Sequence, residues 1–584
     1  MYSDASTGTM ASLCELFQHT AAAHAGEVAL RASDGSVELT WHDYAERVRT
    51  IAGGLASLGI GRGDVVGIML TNRPEFHLVD MAVLHLGAAP FSVYNTSSVE
   101  QISYLFRNAR NTVVVTERQF VDRIKAAGGS AEDIVCVDGD ADGAIALARL
   151  ERQDGAGFDF DKSWRAVEPT DLAALIYTSG TVGNPKGVEI EHHALLASLR
   201  AGCRIPEIAA GARSGGRLMS YLPDAHIANR YYSHYLSLVD GASITTVREP
   251  STVAQVLPQT RPTIFGGVPA FWYKLRAMIE GLVADPAKMT PTAREAIHAR
   301  LGLDAASMLI AGAAPIAPKT IEYFQSLGIE VCEGWAMSET AAAGTINRVG
   351  RNRPGSVGLP MDGLEVRVAP DGELLIRSAA LMRGYRGDPE RTREALIDGW
   401  YHTGDIGQID DEGCVRIIDR KKDLIINSSG KNMSPANIEA AVQASLPLAA
   451  SIVAVGEARP YVVALLTLDP IALAAFAHSR GIVADAPADL VAHPEVTREV
   501  AEAIDRANNR LSRTEQIKYF RILAGTWAPG GDELTPTNKL RRRSIAGKYA
   551  TEIDALYVRG RQAPGEVSHH ALAQQAQNTE VNGK

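Results

Sequence analysis

Cysteine pairs are missing from this 584-residue chain: Cys14, Cys136, Cys203, Cys332 and Cys414 stand far apart, with no Cys-x-x-Cys and no Cys/His cluster. That spacing excludes a disulfide framework and a structural zinc site, and it points to a reducing, cytoplasmic setting. Positive charge is not in excess either, since 58 Lys plus Arg face 68 Asp plus Glu for a net charge of −10. Such a balance lacks the broad positive field of a nucleic-acid-binding protein and leaves only local basic sites open. No lysine or arginine precedes Arg31, so no secretory leader is expected. The most apolar stretch, Ile452 to Ala477, is broken by Glu457, Arg459, Pro460 and Asp469, and no membrane-spanning helix is expected. Internal repeats are also lacking.

What is present is a large globular chain. Its 46% hydrophobic and 22% charged residues lie near the soluble average. Its length exceeds the roughly 250–300 residues at which one core stops growing, so two or more cores are expected. Short β-rich runs alternate with amphipathic segments: Val65–Leu70, Thr112–Val115, Leu172–Tyr177, Ser243–Val247, Met308–Ile310 and Ile329–Cys332. The alternation predicts parallel α/β sheets. After about Gly363 the β runs crowd together between Gly and Asp turns (Leu364–Val368, Gly372–Arg377, Cys414–Ile418), which predicts a smaller antiparallel region. The charged run Asp419-Arg-Lys-Lys-Asp423 reads as a boundary. Beyond it an α+β unit is expected, with Ser434-Pro435 capping a helix through Ala444 and strands at Ser451–Val455 and Tyr461–Leu468. The expected division is residues 1–419, 420–561 and a disordered tail over 562–584.

The segment richest in chemistry is Tyr177-Thr-Ser-Gly-Thr-Val-Gly-Asn-Pro-Lys-Gly187, which follows an apolar strand. Glycines let backbone N–H groups close around an anion, the hydroxyls of Thr178, Ser179 and Thr181 add donors, and Lys186 supplies charge. A triphosphate is the natural guest. A Walker A loop needs Gly before the lysine and Ser or Thr after it, whereas Pro185 and Gly187 hold those places here.

This loop resembles the phosphate loop of the adenylate-forming superfamily, which includes acyl-CoA synthetases, firefly luciferase and nonribosomal peptide synthetase adenylation domains. Four further segments resemble its motifs in the same order. They are Trp335-Ala-Met-Ser-Glu-Thr340 (adenine and magnesium), Gly399-Trp-Tyr-His-Thr-Gly-Asp405 (ribose), Asp419–Asp423 (interdomain hinge) and Leu534-Thr-Pro-Thr-Asn-Lys539 (catalytic lysine). The resemblance implies a large N-terminal domain of parallel α/β sheets plus a small β region, and a smaller mobile α+β C-terminal domain. It implies that Thr178, Ser179, Gly180, Thr181 and Lys186 hold the ATP phosphates, with Mg²⁺ on Glu339 and Thr181. Trp335, Ser338, Thr340, Gly312 and Ala313 surround the adenine, and Asp405 and Arg420 hold the ribose. Lys539 bridges the carboxylate and α-phosphate, Lys422 is the pivot, and Gly430 lines the pantetheine channel.

On the acyl side, Leu222-Pro-Asp-Ala-His-Ile227 resembles the segment that meets the substrate carboxylate, so His226 is the candidate there. Gly266-Gly-Val-Pro-Ala-Phe-Trp-Tyr-Lys274 resembles a stretch of long-chain fatty-acyl-CoA synthetases. The chain departs from the pattern in having Trp335-Ala336 where Tyr-Gly is usual, and Asp224 where long-chain relatives carry an apolar residue. Arg541-Arg-Arg543 reads as a solvated face or as a contact for the phosphates of CoA. The implied reaction joins a fatty acid to CoA through acyl-AMP. Delivery to a carrier protein, a non-catalytic nucleotide- or lipid-binding role and an ADP-forming ATPase are the competing readings. Peripheral membrane contact and a homodimer are left open.

Overall fold

The computed structural model describes residues 10–153, 157–178, 184–283, 286–428, 431–482, 487–535 and 538–562. Ser179, Gly180, Thr181 and Gly430, and the expected tail after Gln562, lie outside the described residues. Gln562 itself ends a helix that begins at Ala550.

Five short strands form the first parallel sheet, in the order Ala89–Ser92, Val65–Met69, Val113–Thr116, Asp133–Cys136 and Ile145–Ala146. Val113–Thr116 is a β-branched run buried along its whole length, as an interior parallel strand requires. The helix Pro74–His85 is likewise buried along its length. A second sheet aligns Ile264–Gly267, Met308–Ala311 and Val331–Ala336 in parallel. It then turns antiparallel through Gly344–Ile346 and Leu359–Pro360.

Two local expectations are corrected here. The strand expected over Ile329–Cys332 runs over Val331–Ala336, which makes Trp335 a strand residue rather than part of a turn. Its extension depends on Gly344, which lies opposite Ala336, because a Cβ at Gly344 would sit 1.9 Å from the Trp335 carbonyl oxygen. The strand Leu172–Thr178, expected among parallel neighbours, instead pairs antiparallel with Lys186–Glu191. Thr178 stands opposite Lys186, so the two ends of the proposed phosphate loop meet on neighbouring strands.

Downstream, Leu364–Val368, Glu373–Ser378, Trp400–Ile409 and Val415–Arg420 form the expected antiparallel sheet. Asp405 lies within the strand Trp400–Ile409, opposite Arg420, and not in a turn. Gly404 takes φ of 70°, so the strand kinks where the glycine pattern suggested a turn.

After Arg420 the chain builds a separate core. Ser434 caps the helix Pro435–Gln443 by accepting from the Asn437 N–H, as its Ser-Pro start foretells. Ala449–Val455 pairs antiparallel with Val462–Leu468, which pairs parallel with Ile517–Ile522. Helix Pro494–Asn508 covers that sheet with Val496, Val500, Ala503, Ile504 and Ala507, a helical stripe. These residues pack with Ile438, Val442 and Leu466. Among the described residues, no helix is long and apolar enough to cross a membrane. Cys14, Cys136, Cys332 and Cys414 are buried, and none of the five cysteines forms a disulfide.

The Gly344 contact yields a prediction. Gly344→Ala forces a methyl onto the Trp335 backbone, an overpacking that costs about 1–3 kcal/mol. The melting temperature falls by several degrees and nucleotide affinity falls with it, because the displaced strand carries Trp335. An unchanged melting curve shows that this strand pair yields without cost.

Candidate active site

Asp405 is buried, and each of its carboxylate oxygens has its own partner. The Trp335 indole N–H donates to Oδ2 at 2.7 Å, and the Arg420 Nε lies 2.8 Å from Oδ1. Strand pairing presents Arg420, since residues 405 and 420 stand opposite each other; the guanidinium also donates to the Thr403 carbonyl at 3.1 Å. Burial raises the Asp405 carboxyl above its ordinary range, against the opposing pull of Arg420, the indole and Lys539. Thus three residues assigned to adenine and ribose meet at one carboxylate.

Glu339 stands in the short turn Ser338–Thr340 that follows this strand. Its Oε1 accepts from the Tyr385 hydroxyl at 3.0 Å, and Tyr385 is further bonded to Tyr401. The Lys186 ammonium sits 4.6 Å above the Tyr385 ring. Burial lowers the Lys186 pKa, and Glu339 pulls it back up. Sequence reading missed Tyr385, because it lies outside the recognised motifs and joins the site only through the pairing of Gly384–Tyr385 with Lys186–Glu191. Thr340 has its hydroxyl engaged within the turn, donating to the Ala343 carbonyl with the Met337 carbonyl 3.1 Å away, while Ser338 is buried beside it. Among the described residues, no three His, Cys, Asp or Glu side chains are grouped to hold a metal by themselves. A single carboxylate such as Glu339 suits Mg²⁺, which takes one or two carboxylates plus phosphate oxygens and water.

Lys539 faces the same cleft. Its pKa is lowered by burial and then by Arg420, while Asp405 and Glu339 oppose the shift. The side chain keeps an exposed surface, as does Arg420. Four of the eight non-glycine residues with positive φ among the described residues lie at these motifs. Ala341 and Ala342, just after Glu339, have φ of 50° and 66°; Ala313 in the proposed adenine loop has 68°, and Asn538 beside Lys539 has 61°. Left-handed conformations cost an L-residue of order 1 kcal/mol or more and collect at ligand sites. Gly312 precedes that strained alanine, its N–H donating to the Gly267 carbonyl.

His226 begins a short helical turn and accepts the Ala228 N–H at Nδ1, 3.1 Å. Burial, and then the charge of Lys539, lower its pKa to about 3, so the imidazole stays neutral. The residues after it wind into a π-helix, Arg230–Tyr235, a conformation found mostly at functional sites. Arg230 anchors it from a fully buried position. It donates to Asp80 at 2.5 Å, Tyr235 at 2.9 Å, Ser92 at 3.0 Å and the Asp224 carbonyl at 3.0 Å.

At the boundary segment, Lys421 binds Asp371 at 2.6 Å and Glu373 at 3.0 Å. The adjacent Lys422 is exposed and makes no ion pair or side-chain hydrogen bond among the described residues. The basic run is not a purely solvated face, because Arg542 reaches inward to grip Glu439 with two bonds of 2.5 and 2.7 Å. That fork fixes the helix Arg542–Lys548 directly behind Lys539.

Trp335→Phe tests the central contact, since it keeps a flat ring but leaves Oδ2 of a buried carboxylate without its donor. A loss of about 1–3 kcal/mol follows, visible as a lower melting temperature and weaker AMP binding by calorimetry. Normal values in both measurements would remove the indole N–H from the site's framework.

Known proteins carry the same organisation. The family described as AMP-binding enzyme matches residues 17–386, and the AMP-binding enzyme C-terminal domain matches residues 422–561. The chain is 42% identical over 456 residues to a putative fatty-acid–CoA ligase, FadD11, of Mycobacterium tuberculosis, spanning 71% of this chain and 79% of that one. It is 32% identical over 565 residues to the long-chain-fatty-acid–CoA ligase FadD15 of the same organism, spanning 89% and 92%. The adenylation domain of a carboxylate reductase from Mycobacterium chelonae shares the fold with a TM-score of 0.76 at 21% identity, over 95% of this chain and 93% of that one. With the family match spanning most of its length and relatives this similar end to end, the chain belongs to the AMP-binding enzyme family.

Proposed function

We infer that this protein is an ATP-dependent, AMP-forming ligase that activates a long-chain fatty acid and transfers it to CoA. The observation that carries the reading is the meeting of Lys539 with Asp405, Arg420, Glu339 and His226 in one cleft, each within electrostatic reach of the lysine. The fatty-acid–CoA ligase names of FadD11 and FadD15 supply the substrate class.

In the first half-reaction a carboxylate oxygen attacks the α-phosphorus of ATP, and the bond to the bridging oxygen of pyrophosphate breaks. Lys539 neutralises charge shared between the carboxylate and the α-phosphate. Lys186 and the loop hydroxyls hold the leaving phosphates, Asp405 and Arg420 hold the ribose, and Trp335 with the Gly312-Ala313 loop holds the adenine. Neutral His226 can face the acyl carboxylate as a hydrogen-bonding partner and leaves charge neutralisation to Lys539. Mg²⁺, when bound by Glu339 and Thr181 with the phosphates, supplies charge neutralisation. In the second half-reaction the CoA sulfur attacks the acyl carbon and AMP leaves.

Residues 1–419 and 420–561 act as two domains in this reading. Rotation about Lys422 withdraws Lys539 and brings the loop at Gly430 to the acyl-AMP. Lys421 stays tethered to Asp371 and Glu373, which suits a pivot immediately after it.

The reading is tested by scoring AMP and pyrophosphate release for carboxylates from acetate to long-chain acids, with and without CoA. Long-chain acids should give acyl-CoA, whereas acyl-AMP that accumulates despite CoA would favour a carrier-protein acceptor. Lys539→Ala should lower ATP–pyrophosphate exchange by about 10²–10³ and leave conversion of supplied acyl-AMP to acyl-CoA nearly intact; equal loss in both points to general damage. For Lys422→Pro, φ is fixed and the residue before it restricted. Adenylation should survive and thioester formation should collapse, and parental thioester formation would move the pivot elsewhere.

A further inference from the structure

Behind the His226 segment lies a small cavity walled by Leu70, Asn72, Ser92, Asn95, Asp224 and Ala225, among others. About 20 Å³ of it is open to the centre of a water-sized group, room for one hydroxyl. Two side-chain atoms on its wall are buried and without a hydrogen-bond partner among the described residues, Asp224 Oδ2 and Asn95 Oδ1. Asp224 is only 6% exposed. Its other oxygen accepts from Asn229 Nδ2 at 2.6 Å, and Arg230 holds its backbone carbonyl at 3.0 Å. Asn95 is held by its amide on the Leu70 carbonyl at 3.0 Å and by Arg123 on its own carbonyl. Both side chains are therefore fixed from one end and present an unsatisfied atom at the other. A buried polar atom left without a partner is destabilising, so two on one small cavity wall point to a polar guest.

We propose that this cavity is a subsite for a hydroxyl group carried by the acyl substrate near its carboxyl end. Burial raises the Asp224 pKa to about 8, against the pull of Arg230, Asn229 and Ser220, so at neutral pH the carboxyl keeps its proton. The protonated Oδ2 is then a donor, and Asn95 Oδ1 is an acceptor. A hydroxyl accepts one hydrogen bond and donates another, which matches this pair. Only Ala225 separates Asp224 from His226, so their Cα atoms are at most about 7.2 Å apart. A chain whose carboxylate meets His226 can thus bring a C2 or C3 hydroxyl to the cavity. A carboxyl in such a cavity is costly unless it meets a polar partner.

This proposal rests on the acyl-activating reading and narrows its substrate to a hydroxy acid. The full-length enzyme is assayed by ATP–pyrophosphate exchange with unsubstituted, 2-hydroxy, 3-hydroxy and ω-hydroxy acids of one chain length. The 2- or 3-hydroxy acid should exceed the unsubstituted acid in kcat/KM by at least about tenfold, the scale of one well-made hydrogen bond, and the ω-hydroxy acid should not. Asp224→Leu should erase that preference while leaving the unsubstituted acid within about threefold of the parent. Asp224→Asn, which also donates from that position, should retain it. No preference in the parent enzyme, or an equal loss for all four acids in Asp224→Leu, would show that the cavity holds only water and overturn the proposal. Good exchange with unsubstituted acids and no hydroxyl preference rejects the subsite alone. Absence of exchange with every acid rejects the acyl-activating reading as well.

Discussion

The Asp405 carboxylate joins pieces of chain that are far apart in sequence. Trp335 comes from the end of the second parallel sheet, Arg420 from the last strand before the boundary, and Asp405 from the strand between. A buried carboxylate is tolerated only when its oxygens are satisfied, so these segments are bound to meet in one arrangement. Everything else in the cleft is set around that point. Glu339 follows Trp335 by a short turn, Lys539 senses the Asp405 charge, and the boundary turn begins one residue after Arg420.

The cleft also holds more positive charge than it neutralises. Lys186, Arg420 and Lys539 face Glu339 and Asp405, and burial depresses both lysines. A desolvated cation that is only partly compensated is poised for an anionic guest. Phosphates entering the cleft would supply the missing negative charge. Burial and the charge of Lys539 keep His226 neutral, since a second cation there would be desolvated and repelled by Lys539.

Local strain marks where function overrides backbone preference. Glycine would adopt the left-handed conformations of Ala313, Ala341 and Ala342 without penalty, yet alanine stands at all three. Hydrogen bonds within the turn hold two of them: the Ala341 N–H donates to the Ser338 carbonyl and the Ala342 N–H to the Met337 carbonyl. Glu339 is thereby carried on a turn with little freedom to move.

Features that depend on neighbours in the chain were legible in the sequence. Ser434-Pro435 opens a helix because a cap acts over three residues, and Val113–Thr116 is a strand because β-branched side chains favour one. The motif residues Lys186, Glu339, Asp405, Arg420 and Lys539 were identifiable through their resemblance to the motifs of a known family. Tertiary structure decided the rest. Whether Trp335 lies in a strand or a turn depends on Gly344 across the sheet, and whether Asp405 faces Arg420 depends on strand register. Tyr385 reaches Glu339, and Arg542 reaches Glu439, over distances that no local pattern encodes. The composition around Asp224 gives no hint that its carboxyl is buried, since burial depends on Asn72, Ser92 and Asn95 arriving from the strand ends and loops of the first parallel sheet. Periodicity and capping report short-range energetics, whereas pairing, burial and charge shifts arise only when distant segments exclude water together.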